Sequence, residues 1–185
     1  MDAGQSLEKL KDGNRRYLEA KTGNGDISPQ VRKETAENGQ HPYAIVIACS
    51  DSRVIPEAVF SCGIGELFTI RVAGNVMDNH QLGSVEYAAG HLGVPLVVLL
   101  GHTQCGAVGA AISGHAEVYI RFITDEIGKA IGDEKDDYQA SCLNVRHGVE
   151  ILKDAFRSHT ELSSLKAVGA IYDIATGKVE FLEEE

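Results

Sequence analysis

Two short apolar runs, Tyr43-Ala44-Ile45-Val46-Ile47 and Pro95-Leu96-Val97-Val98-Leu99-Leu100, each end in a stretch loaded with reactive side chains. The first leads into Ala48-Cys49-Ser50-Asp51-Ser52-Arg53, the second into Gly101-His102-Thr103-Gln104-Cys105-Gly106. Apolar runs of that length without polar alternation read as strands buried on both faces, the habit of parallel sheets. Open α/β sheets bind their ligands at the carboxyl ends of such strands. Two thiols and an imidazole arriving at that edge point to a metal.

The rest of the chain alternates helix and strand. Leu7, Leu10, Asn14, Tyr17 and Leu18 fall at helical spacing, with Ser6 as the expected N-cap and Gly23 and Gly25 as the expected stop. Ser28-Pro29 opens a second helix that ends near Asn38-Gly39. Both helices are too polar to read as core elements. They predict an N-terminal arm, residues 1–40, lying on the α/β domain of residues 41–185 or on a partner subunit. Further strands are expected at 67–71, 94–100 and 167–172. Helices are expected at 54–64, at Leu82–Leu92 with Gly93 as the stop, at 107–112 and at 142–156. The stretch from Ser113 to Tyr138, with its acidic run Asp133-Glu134-Lys135-Asp136-Asp137, reads as a surface excursion around a possible helix over 118–131. The turn at 173–177 is too short for a crossover, so Lys178–Leu182 must return antiparallel. The fold class is α/β: a mostly parallel sheet of four strands with an antiparallel edge strand, flanked by helices, with an N-terminal helical arm.

A chain of 185 residues suits one domain. Its net charge of −10 leaves no basic face for nucleic acid or for an acidic membrane surface. The longest apolar run, Val94–Leu100, is far below the roughly 20 residues of a membrane helix. The first residues carry Asp2, Glu8 and Asp12 and no apolar leader core, which predicts a cytoplasmic protein. In that setting Cys49, Cys62, Cys105 and Cys142 are expected to bind metal or stay free.

Cys49, His102 and Cys105 are the candidate ligands. Sulfur and imidazole together select zinc, and three protein ligands leave the fourth position open, as in catalytic sites. Any one of these residues alone is more often simply packed. The three together, beside Asp51 and Arg53, favour the metal. Two thiolates cancel the charge of zinc, so a water on it is acidified less than the shift from 15.7 to about 7 that three-histidine zinc sites achieve. Neighbouring groups must therefore contribute. Asp51 can accept a hydrogen bond from zinc-bound hydroxide, and Arg53 can grip the Asp51 carboxylate in a bidentate pair. Two other readings stand beside this one: Asp51 as a fourth ligand that expels water, and Asp51 with Arg53 as an ordinary surface salt bridge.

At Cys-Ser-Asp-Ser-Arg and His-Thr-Gln-Cys-Gly the sequence resembles the β-class carbonic anhydrases, and the resemblance runs from about Leu7 to Leu182. Gly65-Glu66-Leu67-Phe68, Ile70-Arg71-Val72-Ala73-Gly74-Asn75, Ser84-Val85-Glu86-Tyr87-Ala88 and Gly169-Ala170-Ile171-Tyr172-Asp173 add to it. The resemblance implies zinc-dependent, reversible hydration of carbon dioxide to bicarbonate and a proton. It implies Cys49, His102 and Cys105 as zinc ligands and Asp51 with Arg53 as a catalytic dyad. Its plant-like branch implies a substrate pocket with Gln40, Phe68 and Tyr87, reached across a dimer interface, and Gly106 beside it. Phe68 and Tyr87 read equally well as core aromatics. A tryptophan, an arginine and a tyrosine hold inhibitory bicarbonate in another branch. Arg71 and Tyr172 match two of these, but Val46 stands at the tryptophan's place, which argues against that form of regulation. The family builds homodimers and higher homo-oligomers. His41, His80 and His91 are nominal proton shuttles.

Two rival functions remain at this point. The same fold and zinc can hydrolyse carbon disulfide or carbonyl sulfide, and a non-catalytic zinc module would be closed by Asp51 or Cys62 as fourth ligand. A dinucleotide site is excluded, since no Gly-x-Gly-x-x-Gly follows the first strand.

Overall fold

In the computed structural model, β1 (Ala44–Ala48), β2 (Leu67–Arg71), β3 (Leu96–His102) and β4 (Lys166–Tyr172) run parallel, and β5 (Val179–Phe181) lies antiparallel beside β4. The strand order is β2-β1-β3-β4-β5. The structure describes all residues except 20–24, 115–116, 158, 160–161, 163 and 184–185. Gly23 and the end of the acidic tail therefore lie outside the described residues. The sheet is the expected one, with the antiparallel edge strand in place.

Every residue of β1 and β3 is buried, as their uninterrupted apolar sequence requires. Their register pairs Ile45 with Val97 and Ala48 with Leu100, so the residues that follow Ala48 and Leu100 emerge at one edge. Alternation along the strands splits the core in two. Ala44, Val46, Ala48, Val98 and Leu100 pack under α1 (Ala3–Glu19) and the short α3 (Pro56–Val59), while α2 (Pro29–Asn38) buries nothing. Ile45, Ile47, Val97 and Leu99 face α4 (Asn79–Leu92) and α7 (Asp137–Phe156). A third cluster, described below, involves α5 (Gly106–Ser113) and α6 (Arg121–Ile131). Among the described residues no helix is long and apolar enough to cross a membrane.

Three expectations change. Ser6 is not a cap: α1 begins at Ala3, and Asp2 and Gln5 exchange bonds of 2.9 and 2.8 Å as a capping box, leaving Ser6 buried inside the helix. Nor is α1 peripheral to the core. Leu10 is fully buried, and Asn14 donates to the carbonyls of Val59 (3.1 Å) and Gly177 (2.9 Å) while accepting from Val179 N–H (3.0 Å). A polar residue does the anchoring that an apolar stripe would announce. Gly25 also has a packing role: a Cβ there would lie 2.0 Å from the backbone nitrogen of Gly63, so the glycine permits a close approach of two segments.

The third correction concerns the stretch after Ser113. α6 turns Thr124, Ile127 and Ile131 inward, so this is core and not an excursion. The acidic run that follows starts a helix: Asp136 accepts the Gln139 N–H at 2.9 Å as N-cap, and α7 begins five residues before the expected Cys142. By contrast Ser28 caps α2 ahead of Pro29 as expected, its hydroxyl accepting from Val31 N–H at 3.3 Å.

Candidate metal centre

The donor atoms of Cys49, His102 and Cys105 all lie within 4.8 Å of one another, and all three residues are buried. Cys49 follows β1, His102 closes β3, and Cys105 immediately precedes α5. The chain reverses between the last two through Gln104, which takes a left-handed φ of 55°. Tetrahedral zinc with these donors sets them roughly 3.5–3.8 Å apart, within reach of small side-chain adjustments.

The imidazole is already oriented. His102 Nδ1 lies 2.9 Å from the carbonyl oxygen of Thr103, so Nδ1 carries the hydrogen and Nε2 presents its lone pair. Nε2 is buried and has no hydrogen-bond partner. An orphaned buried nitrogen facing two sulfurs is costly without an electrophile between them. The residues fit a zinc ion.

The sulfurs are held for the same purpose. Cys105 donates toward Cys49 and lowers it below the ordinary thiol range, assisted by backbone N–H groups that include Gly74 (3.3 Å to Sγ); Cys105 is raised in turn. Against that rise, the backbone N–H groups of Val108 and Ala107 at the start of α5 lower Cys105. Val108, Ile127, Ile131 and Ala140 pack with both cysteines and keep water from the sulfur side.

Arg53 grips Asp51 bidentately, and its bonds hold that carboxyl well below the usual carboxylate range. Asp51 is not in the group of clustered donors, and both its oxygens accept from Arg53. Arg71 clamps the same loop, donating to the carbonyls of Cys49 (3.1 Å) and Asp51 (2.7 Å). Tyr172 is buried with its hydroxyl 3.1 Å from that of Tyr17, and Val46 is a fully buried core residue.

Cys62 does not join the cluster. It sits in the core beneath α1, 3.0 Å from the hydroxyl of Tyr43, so it cannot close the site.

Of the pocket candidates, Gly106 directly follows Cys105, and the others lie outside the loops that carry the cysteines. Phe68 pairs in register with Ile45, four residues before Cys49, roughly 13 Å along the strand from it. Its ring lies 6.1 Å from that of Tyr87, which is 47% exposed, and Tyr87 stacks 5.4 Å from His91. Gln40 is exposed on the segment before β1, and Gly106 is the exposed first residue of α5. His41, His80 and His91 are all exposed.

Sequence reasoning missed two backbone groups, the Gly74 N–H and the Thr103 carbonyl, and the grip of the Arg71 side chain on the Cys49 and Asp51 carbonyls. The left-handed loop Ala73-Gly74-Asn75 was a signal for the first, since glycine in a short loop marks a close approach.

The family model described as "Carbonic anhydrase" matches residues 44–179. Carbonic anhydrase 2 of Mycobacterium tuberculosis is 39% identical over 182 residues, covering 91% of this chain and 87% of its own. The chain belongs to the β-class carbonic anhydrases. Among solved structures, the β-carbonic anhydrase CafA of Aspergillus fumigatus is 26% identical with a TM-score of 0.72, covering 97% of this chain and 90% of that one. The tetrameric β-carbonic anhydrases of Sordaria macrospora are also similar, at 26% identity and a TM-score of 0.61, with 83% of this chain and 91% of theirs covered. As a family member the chain is a zinc-dependent carbonate dehydratase, and the sulfur-analogue and non-catalytic readings are not favoured.

Proposed function

We propose that Cys49, His102 and Cys105 hold the zinc and that Asp51, fixed by Arg53, orients the reacting groups for reversible hydration of carbon dioxide. The observation that carries this is the unpartnered Nε2 of His102 among two buried sulfurs. Zinc bound there supplies a Lewis acid that acidifies water at neutral pH. Each neighbouring residue then has a defined task. Thr103 keeps the imidazole in the tautomer that offers Nε2. Asp51, ionised and unable to donate, accepts a hydrogen bond and so aims a lone pair at the carbon of carbon dioxide. Arg53 keeps Asp51 ionised and off the metal, which supports the plant-like arrangement with an open fourth position.

The remaining features support a homo-oligomer. Phe68 lies roughly 13 Å along the strand from this chain's own Cys49 with Tyr87 beside it, which supports Phe68, Tyr87 and Gln40 serving the site of a second copy. Val118, Tyr119 and Phe122, 77%, 82% and 69% exposed, form an apolar run suited to burial between subunits. Light scattering on Tyr119→Glu/Phe122→Glu should show a smaller assembly; an unchanged mass removes this run from the interface. Four buried, unpaired cysteines support a reducing, cytoplasmic setting.

The ligand assignment is tested by metal content. Cys105→Ala should purify without stoichiometric zinc, and a variant that keeps one zinc per chain contradicts the assignment.

A further inference from the structure

One face of α7 touches the backbone of the loop that carries His102 and Cys105 and of the loop after β2, whose Gly74 N–H reaches Cys49. Asp137, Ser141 and Asn144 stand at i, i+4 and i+7, within about 60° of arc on a helix. The Asp137 carboxylate accepts the Gln104 N–H at 2.8 Å. Ser141 Oγ donates to the His102 carbonyl at 3.4 Å. Asn144 Nδ2 donates to the Gly74 carbonyl at 2.9 Å. Ser141 and Asn144 are buried, where a polar side chain without a partner is costly. Apolar residues would fill these places more safely, so three polar ones in a row call for an account.

The bonded backbone is the backbone that needs holding. Gln104 has a φ of 55°, and Gly74 and Asn75 have φ of 68° and 44°, conformations that cost energy outside glycine. Gly74 cannot be replaced cheaply: a Cβ would lie 2.8 Å from Ile127 Cδ1 and 3.0 Å from Ala107 Cβ. This geometry brings the Gly74 N–H within 3.3 Å of Cys49 Sγ. A hydrogen bond to a thiolate withdraws charge from sulfur, which weakens its donation and leaves the metal more electrophilic. In a site whose two thiolates already neutralise a divalent ion, that withdrawal matters most.

We propose that Asp137, Ser141 and Asn144 are positioning residues for the metal centre, with α7 fixing the two loops and Asn144 setting the Gly74 N–H that tunes Cys49. The proposal rests on Cys49, His102 and Cys105 being the ligands. It assigns to α7 a role in metal affinity and in sulfur-to-metal charge donation, separate from its packing on the sheet.

Cobalt(II) substituted for zinc in the full-length protein reads both quantities, because thiolate-to-cobalt charge-transfer absorption reports the sulfur charge. Asn144→Leu keeps volume and removes the donor; its charge-transfer band should move to lower energy, and its affinity against a competing chelator should fall about 10-fold. Asp137→Ala should lose affinity with a smaller band shift, since it acts on the other loop. Cys142→Ala, on the same helix but outside the three-residue face, should match wild type. A folded Asn144→Leu with wild-type band and affinity overturns the proposal, even if it melts at a lower temperature. Should Asn144→Leu fail to fold, Asn144→Ser and Asp137→Ala decide by the same two readouts. Wild-type protein without a thiolate-to-cobalt band would instead contradict the ligand assignment itself.

Discussion

Arg53 holds Asp51 by two parallel bonds, Nε to Oδ1 at 2.9 Å and Nη2 to Oδ2 at 2.7 Å, and the same Nη2 reaches the Gln104 carbonyl at 3.1 Å. The pair therefore links the loop after β1 to the loop after β3. A surface salt bridge has no such third partner. Asp51→Asn keeps the shape but loses the charge, so it should retain zinc and lose about 100-fold in turnover. Arg53→Lys cannot form the fork and should fall between wild type and Asp51→Asn. Stopped-flow rates on zinc-quantified samples check both, and an unchanged Asp51→Asn rate removes Asp51 from the reaction.

Acid sensitivity should appear where α1 meets the sheet. Glu66 accepts from Lys9 Nζ at 2.8 Å and from Gly63 N–H at 2.7 Å. Burial alone would raise its carboxyl, but the Gly63 N–H and Lys9 outweigh it and the net shift is downward. A carboxyl lowered in the folded state contributes stability above its unfolded value, about 4.3, and loses it as pH falls through the folded value. Urea melts of wild type and Glu66→Gln should differ by less than about 1 kcal/mol at neutral pH, because both partners are over a third exposed. That gap should close below about pH 4. A gap that persists in acid contradicts the ion-pair account.

Ile127 is fully buried against Cys49, Cys105 and Val108. Ile127→Ala should cost about 2–5 kcal/mol in chemical unfolding, the range for emptying a packed site. A loss below about 1 kcal/mol would mean that α6 is the surface excursion its sequence suggested.

The sheet is readable in the sequence, and the candidate ligands can be named there, because each is written in side chains. Uniform apolar runs announced β1 and β3, and a thiol or imidazole at a strand end carries its chemistry in its identity. What escaped lies in the backbone or in polar side chains used structurally. Any residue could supply the Thr103 carbonyl, so no composition marks it, and Gly74 announces a close approach without naming its partner. Asn14 anchors α1 where an apolar residue was sought. Asp136 and Asp137 looked like part of a solvated acidic run, while one caps α7 and the other holds Gln104. α6 was obscured because the exposed Val118–Phe122 run precedes its buried Ile127 and Ile131 and blurs the helical period. Gln40, Phe68 and Tyr87 were named from resemblance, and a single chain gives them no common site.

The most direct test is stopped-flow hydration of carbon dioxide by zinc-replete wild-type protein at mildly alkaline pH, with zinc per chain measured on the same sample. The account predicts one zinc per chain and turnover far above the buffer rate. One zinc per chain with no hydration would contradict the open fourth position, and protein that binds no zinc would contradict the site.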